Sequence, residues 1–270
     1  PQDRSSAASD VYKRQQQREE VVVLGQQEQS DKLIEEFGRQ ILVPGIDEAG
    51  QLNISKKKVC IIGLGALGTV ASQYLVRAGV GEIHLIDHDK IEKSNLHRQI
   101  NYDLNDIGKS KSKISKNKLK SVNNKTIIKD HSLNFKSFIE ENQKIKFDLV
   151  FDCTDNHQNK IFSSKFSKIN KISFVSISIN SSEGIYFAQD YQENNSSCFE
   201  CLFPYADQNH RCLNSAMIGP VAGFVTSFAC MKIVFALAKN KTQLVNEISL
   251  IDLLTSDINK LQLTNKVCPH

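Results

Sequence analysis

The sequence predicts an α/β fold with a doubly wound, Rossmann-like, mostly parallel sheet, helices on both faces and antiparallel strands at its C-terminal end. Three observations support this fold class. The glycine-rich segment 63–68 directly follows the apolar run Val59–Ile62, and Asp87 ends the next apolar run. That acidic residue lies roughly 20 positions after the last glycine, as a nucleotide-binding fingerprint requires. Strand-like runs then alternate with helical segments, which is typical of right-handed crossovers in a parallel sheet.

Apolar periodicity and glycine positions predict the elements of the parallel half. Residues 28–56 carry apolar positions at helical spacing, interrupted by an irregular segment at 44–50. Gly79 and Gly81 close the helix that follows the glycine segment. The elements after residue 56 are predicted, in order, as strand Lys57–Ile62, helix Ala66–Ala78, strand Glu82–Asp87, helix 109–122, strand Thr126–Lys129, helix Phe135–Asn142, strand Asp148–Asp152, helix 157–169 and strand Ile172–Ser178.

The pattern changes from Gly184 onward. A strand-like run is followed by an irregular, polar, cysteine-bearing stretch that reaches residue 214, and then by the most apolar segment of the chain. We predict a strand at Ile185–Gln189, a helix at 218–238 and strands at Ile248–Leu253 and Lys260–Leu263. The late strands are expected to extend the same sheet in antiparallel fashion, which makes one domain.

Composition sets limits on the class of protein. The chain has 270 residues, of which 40% are hydrophobic and 24% charged, as in ordinary globular domains. The net charge of +4 argues neither for nor against nucleic acid. We predict no nucleic-acid partner and no membrane association. The apolar stretch Met217–Leu237 contains Pro220 and Lys232, so a buried core helix explains it better than a membrane span.

The two ends of the chain and its cysteines complete this outline. Residues 1–27 begin without Met and are largely polar, so we expect a disordered or non-native segment there. One domain is expected over 28–270, and the sequence ends at Cys268-Pro269-His270. Seven cysteines and no visible signal peptide favour a reduced, cytoplasmic location over a disulfide framework.

The glycine segment carries the first chemical argument. Glycines at 63, 65 and 68 permit a tight turn from strand to helix, and they let backbone amides approach a phosphate at the helix N-terminus. Asp87 could accept hydrogen bonds from ribose hydroxyls, although it could also merely cap the following loop. The segment alone leaves open whether the ligand is a dinucleotide or a mononucleotide.

Further motifs narrow this choice, and they occur in a fixed order along the chain. They are Phe-Gly-Arg-Gln at 37–40, Ala-Gly-Val-Gly at 78–81, Asp-His-Asp at 87–89, Ser-Asn-Leu-His-Arg-Gln at 94–99, Gly-Lys-Ser-Lys at 108–111 and Asp-Cys-Thr-Asp-Asn at 152–156. Together with the glycine segment, this set resembles the MoeB/ThiF/HesA family, the bacterial relatives of ubiquitin-activating enzymes. The resemblance runs from about residue 37 to residue 268.

The resemblance implies an adenylyltransferase. Such an enzyme uses ATP to adenylate the C-terminal glycine of a ubiquitin-like sulfur-carrier protein ending in Gly-Gly, of the ThiS or MoaD type, and releases pyrophosphate. The product serves sulfur transfer in thiamin or molybdopterin biosynthesis. Because an anion must approach an anion, catalysis depends on charge neutralisation and alignment. No general base is needed, since a carboxylate is already ionised at neutral pH.

The resemblance also implies roles for individual residues. Arg98 and Lys111 would supply positive charge to the phosphates, and Asp155 would hold Mg²⁺. Arg39 would reach the neighbouring subunit's site in a homodimer. The implied nucleotide-binding set is Gly63, Gly65, Ala66, Gly68, Asp87, Ser94, Asn95, Leu96, His97, Arg98, Lys111, Asp155 and Asn156.

Several of these assignments have plainer alternatives. Lys111 lies among many lysines and could be part of a solvated face. Asp155 and Asn156 could form an ordinary turn, since Asx residues suit turns. The chain also departs from the family pattern: Ala66 replaces a glycine, Phe37 a tyrosine and Lys160 a frequent arginine. The lysine keeps the charge and loses the bidentate fork.

Three cysteines are candidates for a metal site. Cys198 and Cys201 have the C-x-x-C spacing of half a tetrahedral zinc site. The resemblance implies a second pair near the C-terminus, beginning at Cys268. We therefore expect the ATP-binding domain of 28–270 to be truncated at its C-terminus and its structural zinc site to be incomplete. A redox dithiol or two unrelated buried thiols are the alternatives. Cys212 resembles the cysteine that some relatives use covalently, but it could equally be an ordinary loop thiol.

Three other functions compete with carrier adenylation. The glycine segment and Asp87 alone would suit an NAD-dependent oxidoreductase, which leaves the other motifs unexplained. A non-catalytic scaffold could bind nucleotide and carrier without turnover. The tRNA-threonylcarbamoyladenosine dehydratases also adenylate a carboxylate, on RNA, but the paired cysteines and the Cys212 region favour the carrier-protein branch.

Overall fold

The computed structural model describes residues 31–192, 197–204 and 216–263. The described residues divide into two compact units, one up to Gln51 and one from Leu52 onward. In the first unit, residues 31–41 form helix α1, and Gln40 Nε2 donates to Gln51 Oε1 at 2.6 Å. Helix α2 covers Asp47–Ile54.

The second unit is built on one eight-stranded sheet. Its strands are β1 (Lys58–Ile62), β2 (Glu82–Ile86), β3 (Ile127–His131), β4 (Leu149–Asp152), β5 (Ser173–Asn180), β6 (Glu183–Gln189), β7 (Glu247–Asp252) and β8 (Asp257–Gln262). Its helices are α3 (Ala66–Arg77), α4 (Lys111–Lys120), α5 (Phe135–Glu141), α6 (His157–Ile169), α7 (Phe199–Leu202) and α8 (Gly219–Leu237), with short 3₁₀ turns at Lys93–Asn95 and Leu104–Asp106.

The strand order is β3-β2-β1-β4-β5-β6-β7-β8. The first five strands in this order pair in parallel, and the pairs β5–β6, β6–β7 and β7–β8 are antiparallel. This arrangement confirms the predicted fold class. After β3 the chain returns to the other side of β1, so the strand order reverses between β1 and β4. Open α/β sheets bind ligands at such a reversal, outside the carboxyl ends of the strands.

Local hydrogen bonds explain where element boundaries differ from the sequence prediction. Helix α4 begins at Lys111, two residues later than predicted, because the Ser110 side chain caps it by accepting from the Lys113 amide at 3.4 Å. Strand β8 begins at Asp257 and not at residue 260. It continues directly from a tight hairpin in which Ser256 takes a φ of 65°.

Helix α8 is a core element of the second unit. It is long and apolar enough to cross a membrane by length and composition, yet half of its most apolar stretch is buried within the protein. Val221, Ala222, Val225 and Ala229 are among its fully or nearly fully buried residues. The helix packs against α3 and against strands β5 and β6.

A histidine pair links strands β2 and β3. The His84 side chain is fully buried, with Nδ1 3.1 Å from Nε2 of His131 and Nε2 2.8 Å from Oε1 of Glu82. The two rings stack with centroids 5.1 Å apart. Burial lowers the pKa of both imidazoles, that of His131 to about 4. The pair is therefore neutral at pH 7.

Candidate active site

A cavity of about 830 Å³ opens at the carboxyl ends of the parallel strands. Much of its polar lining comes from the loops that follow β1, β2 and β4, whose carboxyl ends lie at this edge of the sheet. Its apolar wall includes Phe135, Phe187, Phe199 and Phe203. We call the part of the lining formed by the loops after β1, β2 and β4 the polar end of the cavity.

The glycine segment forms the turn from β1 into α3. Gly63 has a φ of 84°, which favours glycine. A Cβ on Gly68 would lie 1.8 Å from the carbonyl oxygen of Gly63, so only glycine lets the helix pack so closely on the turn. Gly63, Gly65 and Ala66 line the cavity. Gly65 is the N-cap of α3 and gives no side-chain cap, which leaves the first helical amides available to an anion.

Asp87 ties the glycine segment to the loop after β2. It is 8% exposed, and its Oδ2 accepts from the Leu64 amide at 2.6 Å while its Oδ1 accepts from the Asp89 amide at 2.8 Å. The carboxylate therefore caps its own loop and also lines the cavity. The structure thus shows the capping interpretation, and the hydrogen bonds to ribose hydroxyls stay a prediction.

Lys111 differs from the other lysines of α4. It is 6% exposed, lines the cavity and holds its Nζ 2.9 Å from Oδ2 of Asp89. Lys116 and Lys118 instead pair with acidic residues outside the cavity lining, Lys116 with Asp130. The first turn of α4 thus brings a buried cation to the polar end of the cavity.

The segment 94–99 contributes three lining residues: Asn95, Arg98 and Gln99. Asn95 Oδ1 accepts from the backbone amide of Glu92 at 3.2 Å. Arg98 Nη1 donates to the Ser94 carbonyl oxygen at 2.8 Å and lies 2.6 Å from His97 Nε2. Ser94, Leu96 and His97, by contrast, are outside the cavity lining.

The turn after β4 carries the candidate magnesium ligand. Asp155 is exposed and lines the cavity, and its carboxylate oxygens are ligands that Mg²⁺ accepts. Asn156 lies outside the lining and caps α6, its Oδ1 accepting from the Asn159 amide at 3.0 Å. Asp87, His88 and Asp89 place three further ligand atoms within 4.8 Å of one another.

Lys160 lines the cavity and contacts the ends of two neighbouring strands. Its side chain is 3% exposed, and its Nζ donates to the Ile177 carbonyl oxygen at 2.9 Å and to Ser176 Oγ at 3.1 Å. Nζ also lies 3.4 Å from Oδ1 of the fully buried Asp152. These contacts join the ends of β4 and β5, so its charge is already compensated within the sheet.

The two described candidate zinc ligands lie close together. Cys198 Sγ and Cys201 Sγ are 3.6 Å apart, and two sulfurs bound to one tetrahedral zinc would be about 3.8 Å apart. Cys212 and Cys268 lie outside the described residues. Cys153 also lines the cavity, but burial raises the pKa of its thiol, which keeps it protonated.

The role predicted for Arg39 is not tested by the structure. Arg39 belongs to the first compact unit and the cavity to the second, so its role stays a prediction.

Asp89 and Gln99 line the cavity but received no role from the sequence. Both stand inside the quoted motifs, at 87–89 and 94–99. Membership of these motifs is the only sign in the sequence that the two residues belong to the site, and a motif does not show which of its side chains face a ligand.

Comparisons with known proteins agree with this architecture. A family model described as the ThiF family matches residues 37–270. The adenylyltransferase and sulfurtransferase MOCS3 of Dictyostelium discoideum is 30% identical over 211 residues, covering 77% of this chain and 49% of that protein. The adenylyltransferase and sulfurtransferase UBA4 of Yarrowia lipolytica is 36% identical over 197 residues, covering 70% and 48%. The chain spans about half the length of these curated relatives.

Solved structures share the fold. The crystal structure of PaaA matches with a TM-score of 0.72 at 20% identity, covering 86% of this chain and 74% of that one. The crystal structure of E. coli MccB with ATP matches with a TM-score of 0.68 at 21% identity, covering 81% and 66%. At such identities the likeness concerns the fold alone.

Proposed function

The chain belongs to the ThiF family, and on that premise we propose that it adenylates the C-terminal glycine carboxylate of a ubiquitin-like carrier protein. The carrier would end in Gly-Gly and serve as a sulfur carrier of the ThiS or MoaD type, in thiamin or molybdopterin biosynthesis. One observation carries the proposal: Asp87, Arg98, Lys111 and Asp155 all line one cavity beside the open N-terminus of α3.

The reaction joins two anions. A carboxylate oxygen of the carrier attacks the α-phosphorus of ATP, a carbon–oxygen–phosphorus linkage forms, and the bond to the β-phosphate breaks with release of pyrophosphate. No proton has to be removed, since the carboxylate is ionised at neutral pH. What the site must supply is positive potential and alignment.

The charged side chains of the cavity suit this task. Lys111 is buried and held by Asp89, so its ammonium is oriented before any ligand arrives. Arg98 adds a guanidinium at the same polar end. Asp155 would hold Mg²⁺, which when bound would neutralise phosphate charge. The amides at the start of α3 would hold a phosphate, and Asp87 would fix the ribose.

Further parts of the proposal concern assembly and metal. We propose a homodimer in which Arg39 serves the partner's site, a cytoplasmic location, and structural zinc held by Cys198 and Cys201 together with Cys268. The Sγ–Sγ distance of 3.6 Å supports the zinc proposal. Cys212 is proposed as a covalent thiol for the carrier. Sedimentation at micromolar concentration tests the dimer, and a monomer there would contradict it.

Carrier-dependent exchange between ATP and labelled pyrophosphate tests the function. We expect exchange only with carriers that end in Gly-Gly and none with a carrier lacking that ending. Absence of exchange with every such carrier, under conditions in which the protein binds ATP tightly, would favour the scaffold alternative. Thermal stabilisation by NADH and not by ATP would favour the oxidoreductase.

A further inference from the structure

Asp152 and Lys160 form a buried ion pair next to the turn that carries the candidate magnesium ligand. The Asp152 side chain is fully buried at the end of β4, and that of Lys160, in the first turn of α6, is 3% exposed. Oδ1 of Asp152 lies 3.4 Å from Nζ of Lys160. Burying two charges costs free energy that their mutual attraction need not recover. The pair is therefore weak evidence for stability alone, and its contacts indicate a second role.

The Asp152 carboxylate holds the first residues of the turn. Its Oδ1 accepts from the Thr154 amide at 2.9 Å and from the Thr154 hydroxyl at 2.7 Å. Its Oδ2 accepts from the Ser163 hydroxyl at 2.5 Å. Both carboxylate oxygens thus accept from donors of this chain, and Asp152 itself lies outside the cavity lining. Asp152 therefore fixes the residue that precedes Asp155, and Asp155 is the carboxylate that lines the cavity.

Backbone contacts fix the same turn against the glycine segment. The Cys153 amide donates to the carbonyl oxygen of Ile62, at the end of β1, with a distance of 2.8 Å. A Cβ on Gly63 would lie 3.1 Å from Cγ2 of Thr154 and 3.2 Å from the backbone of Cys153. The turn therefore packs closely on the segment proposed to hold a phosphate, so the position of the one depends on that of the other.

Lys160 extends these contacts to the neighbouring strand. An ammonium has three protons to donate, and four acceptor atoms lie within 3.5 Å of Nζ: the carbonyl oxygen and Oδ1 of Asp152, Oγ of Ser176 and the carbonyl oxygen of Ile177. All three protons thus have acceptors within the protein, although the residue lines the cavity. The charge of Lys160 therefore acts on the turn and on β5.

We propose that Asp152 and Lys160 are positioning residues, which hold the turn 153–155 so that the Asp155 carboxylate is in place to bind Mg²⁺. This inference rests on the proposed function, because it assumes that Asp155 holds the metal. Mg²⁺ requires near-octahedral geometry, so its ligands must be held in place, and residues behind the ligands do this in metal sites. The ammonium compensates the Asp152 carboxylate, which then accepts from the turn and from α6 without leaving an unpaired buried charge.

Lys160→Met tests the inference, because methionine has a similar length and removes the ammonium. Lys57→Met is the matched control: Lys57 is 7% exposed, its Nζ lies 3.7 Å from Oδ1 of Asp148 just before β4, and it is outside the cavity lining. Mn²⁺ also takes carboxylate oxygens as ligands, and its binding is followed by electron paramagnetic resonance. Mn²⁺ is titrated into each protein together with ATP, with the protein in excess so that the nucleotide is bound.

We expect Lys160→Met to weaken Mn²⁺ binding about 10- to 100-fold, as loss of a residue behind a metal ligand typically does. ATP affinity measured in EDTA should not change, because the protons of the Lys160 ammonium already have acceptors in the protein. Lys160→Arg should keep the Mn²⁺ affinity because it keeps the charge, and Lys57→Met should bind Mn²⁺ as the unsubstituted protein does. A purely structural pair would lower the melting temperature of Lys160→Met and leave its Mn²⁺ affinity unchanged.

Equal Mn²⁺ affinity in Lys160→Met and in the unsubstituted protein would overturn the inference, and so would an equal loss in Lys57→Met. If Lys160→Met does not fold, Ser163→Ala gives the same comparison, because it removes the donor to Oδ2 of Asp152 from outside the cavity lining. Weaker Mn²⁺ binding in that variant supports the inference, and unchanged binding overturns it.

The inference and the proposed function can fail separately. Unchanged Mn²⁺ affinity in Lys160→Met, in a protein that catalyses carrier-dependent exchange, defeats only the positioning role. Failure of the unsubstituted protein to bind Mn²⁺ with ATP defeats the proposed magnesium site together with the inference. Absence of carrier-dependent exchange in the unsubstituted protein defeats the proposed function itself.

Discussion

Removing the charge of Lys111 should abolish most adenylation while leaving the fold nearly as stable as before. The ammonium is 6% exposed and lies at the polar end of the cavity. A unit charge about 4 Å from a phosphate oxygen contributes about 4 kcal/mol at most at an effective dielectric of about 20. Loss of one preorganised group of this kind typically costs about 10²- to 10³-fold in rate. We expect that loss for Lys111→Gln.

Lys111→Gln should lower the stability of the fold only slightly, because the ion pair that it removes is partly exposed to solvent. The partner of Lys111 is Asp89, whose side chain is 52% exposed, and ion pairs with such partners contribute about 0–1 kcal/mol. For a chain of this size, a loss of 1 kcal/mol lowers the melting temperature by about 2–4 °C. Activity and stability should therefore separate clearly.

Lys116→Gln is the control for this prediction. Lys116 lies on the same helix and pairs with Asp130 outside the cavity lining. Carrier-dependent pyrophosphate exchange and thermal unfolding are measured for both variants. A loss of exchange in the control as large as that in Lys111→Gln, or full activity of Lys111→Gln, would refute the role assigned to Lys111.

Three further predictions concern stability and metal. The histidine pair of β2 and β3 should make the unfolding free energy fall as the pH drops from about 6.5 towards 4. The reason is that burial lowers the pKa of both imidazoles, that of His131 to about 4, so the unfolded chain binds protons first. Denaturant titrations should show a shallower fall for His131→Gln. Gly68→Ala should destabilise the fold by several kcal/mol, because the new Cβ would lie 1.8 Å from a backbone oxygen and must displace it. Gly223→Ala in α8 has open space around the new Cβ and should stabilise the fold by about 0.5–1 kcal/mol. Equal changes in the unfolding free energy of the two variants would contradict this prediction. Elemental analysis should find zinc in the unsubstituted protein and a reduced content in both Cys198→Ser and Cys201→Ser, while unchanged content would refute the zinc proposal.

Periodicity and glycine placement were sufficient to predict the fold. The alternation of strands and helices fixes a parallel sheet, because crossover connections of this length admit few topologies. Helix α6 was predicted with the bounds that the structure shows, His157–Ile169. The start of α4 was placed too early, since the apolar pattern carries no information on the Ser110 cap.

The candidate site could be predicted only in part. Motif letters identified Asp87 and Lys111 as candidates, but not the contact between Lys111 and Asp89, which joins residues 22 positions apart. Such pairings depend on how two loops meet after folding. Similarly, the buried Gln99 Oε1 has no hydrogen-bond partner among the described residues, and this depends on packing in the folded protein that a sequence does not show.

One measurement tests the central claim most directly, namely that the cavity brings a carboxylate to the α-phosphorus of ATP. A Gly-Gly carrier labelled with ¹⁸O in its terminal carboxylate is incubated with the protein and ATP, and the product is cleaved with hydroxylamine. Attack at the carbonyl carbon would release AMP that carries one labelled oxygen from the carboxylate. We predict that label in the AMP. Release of unlabelled AMP, or formation of no AMP in the presence of the carrier, would contradict the account.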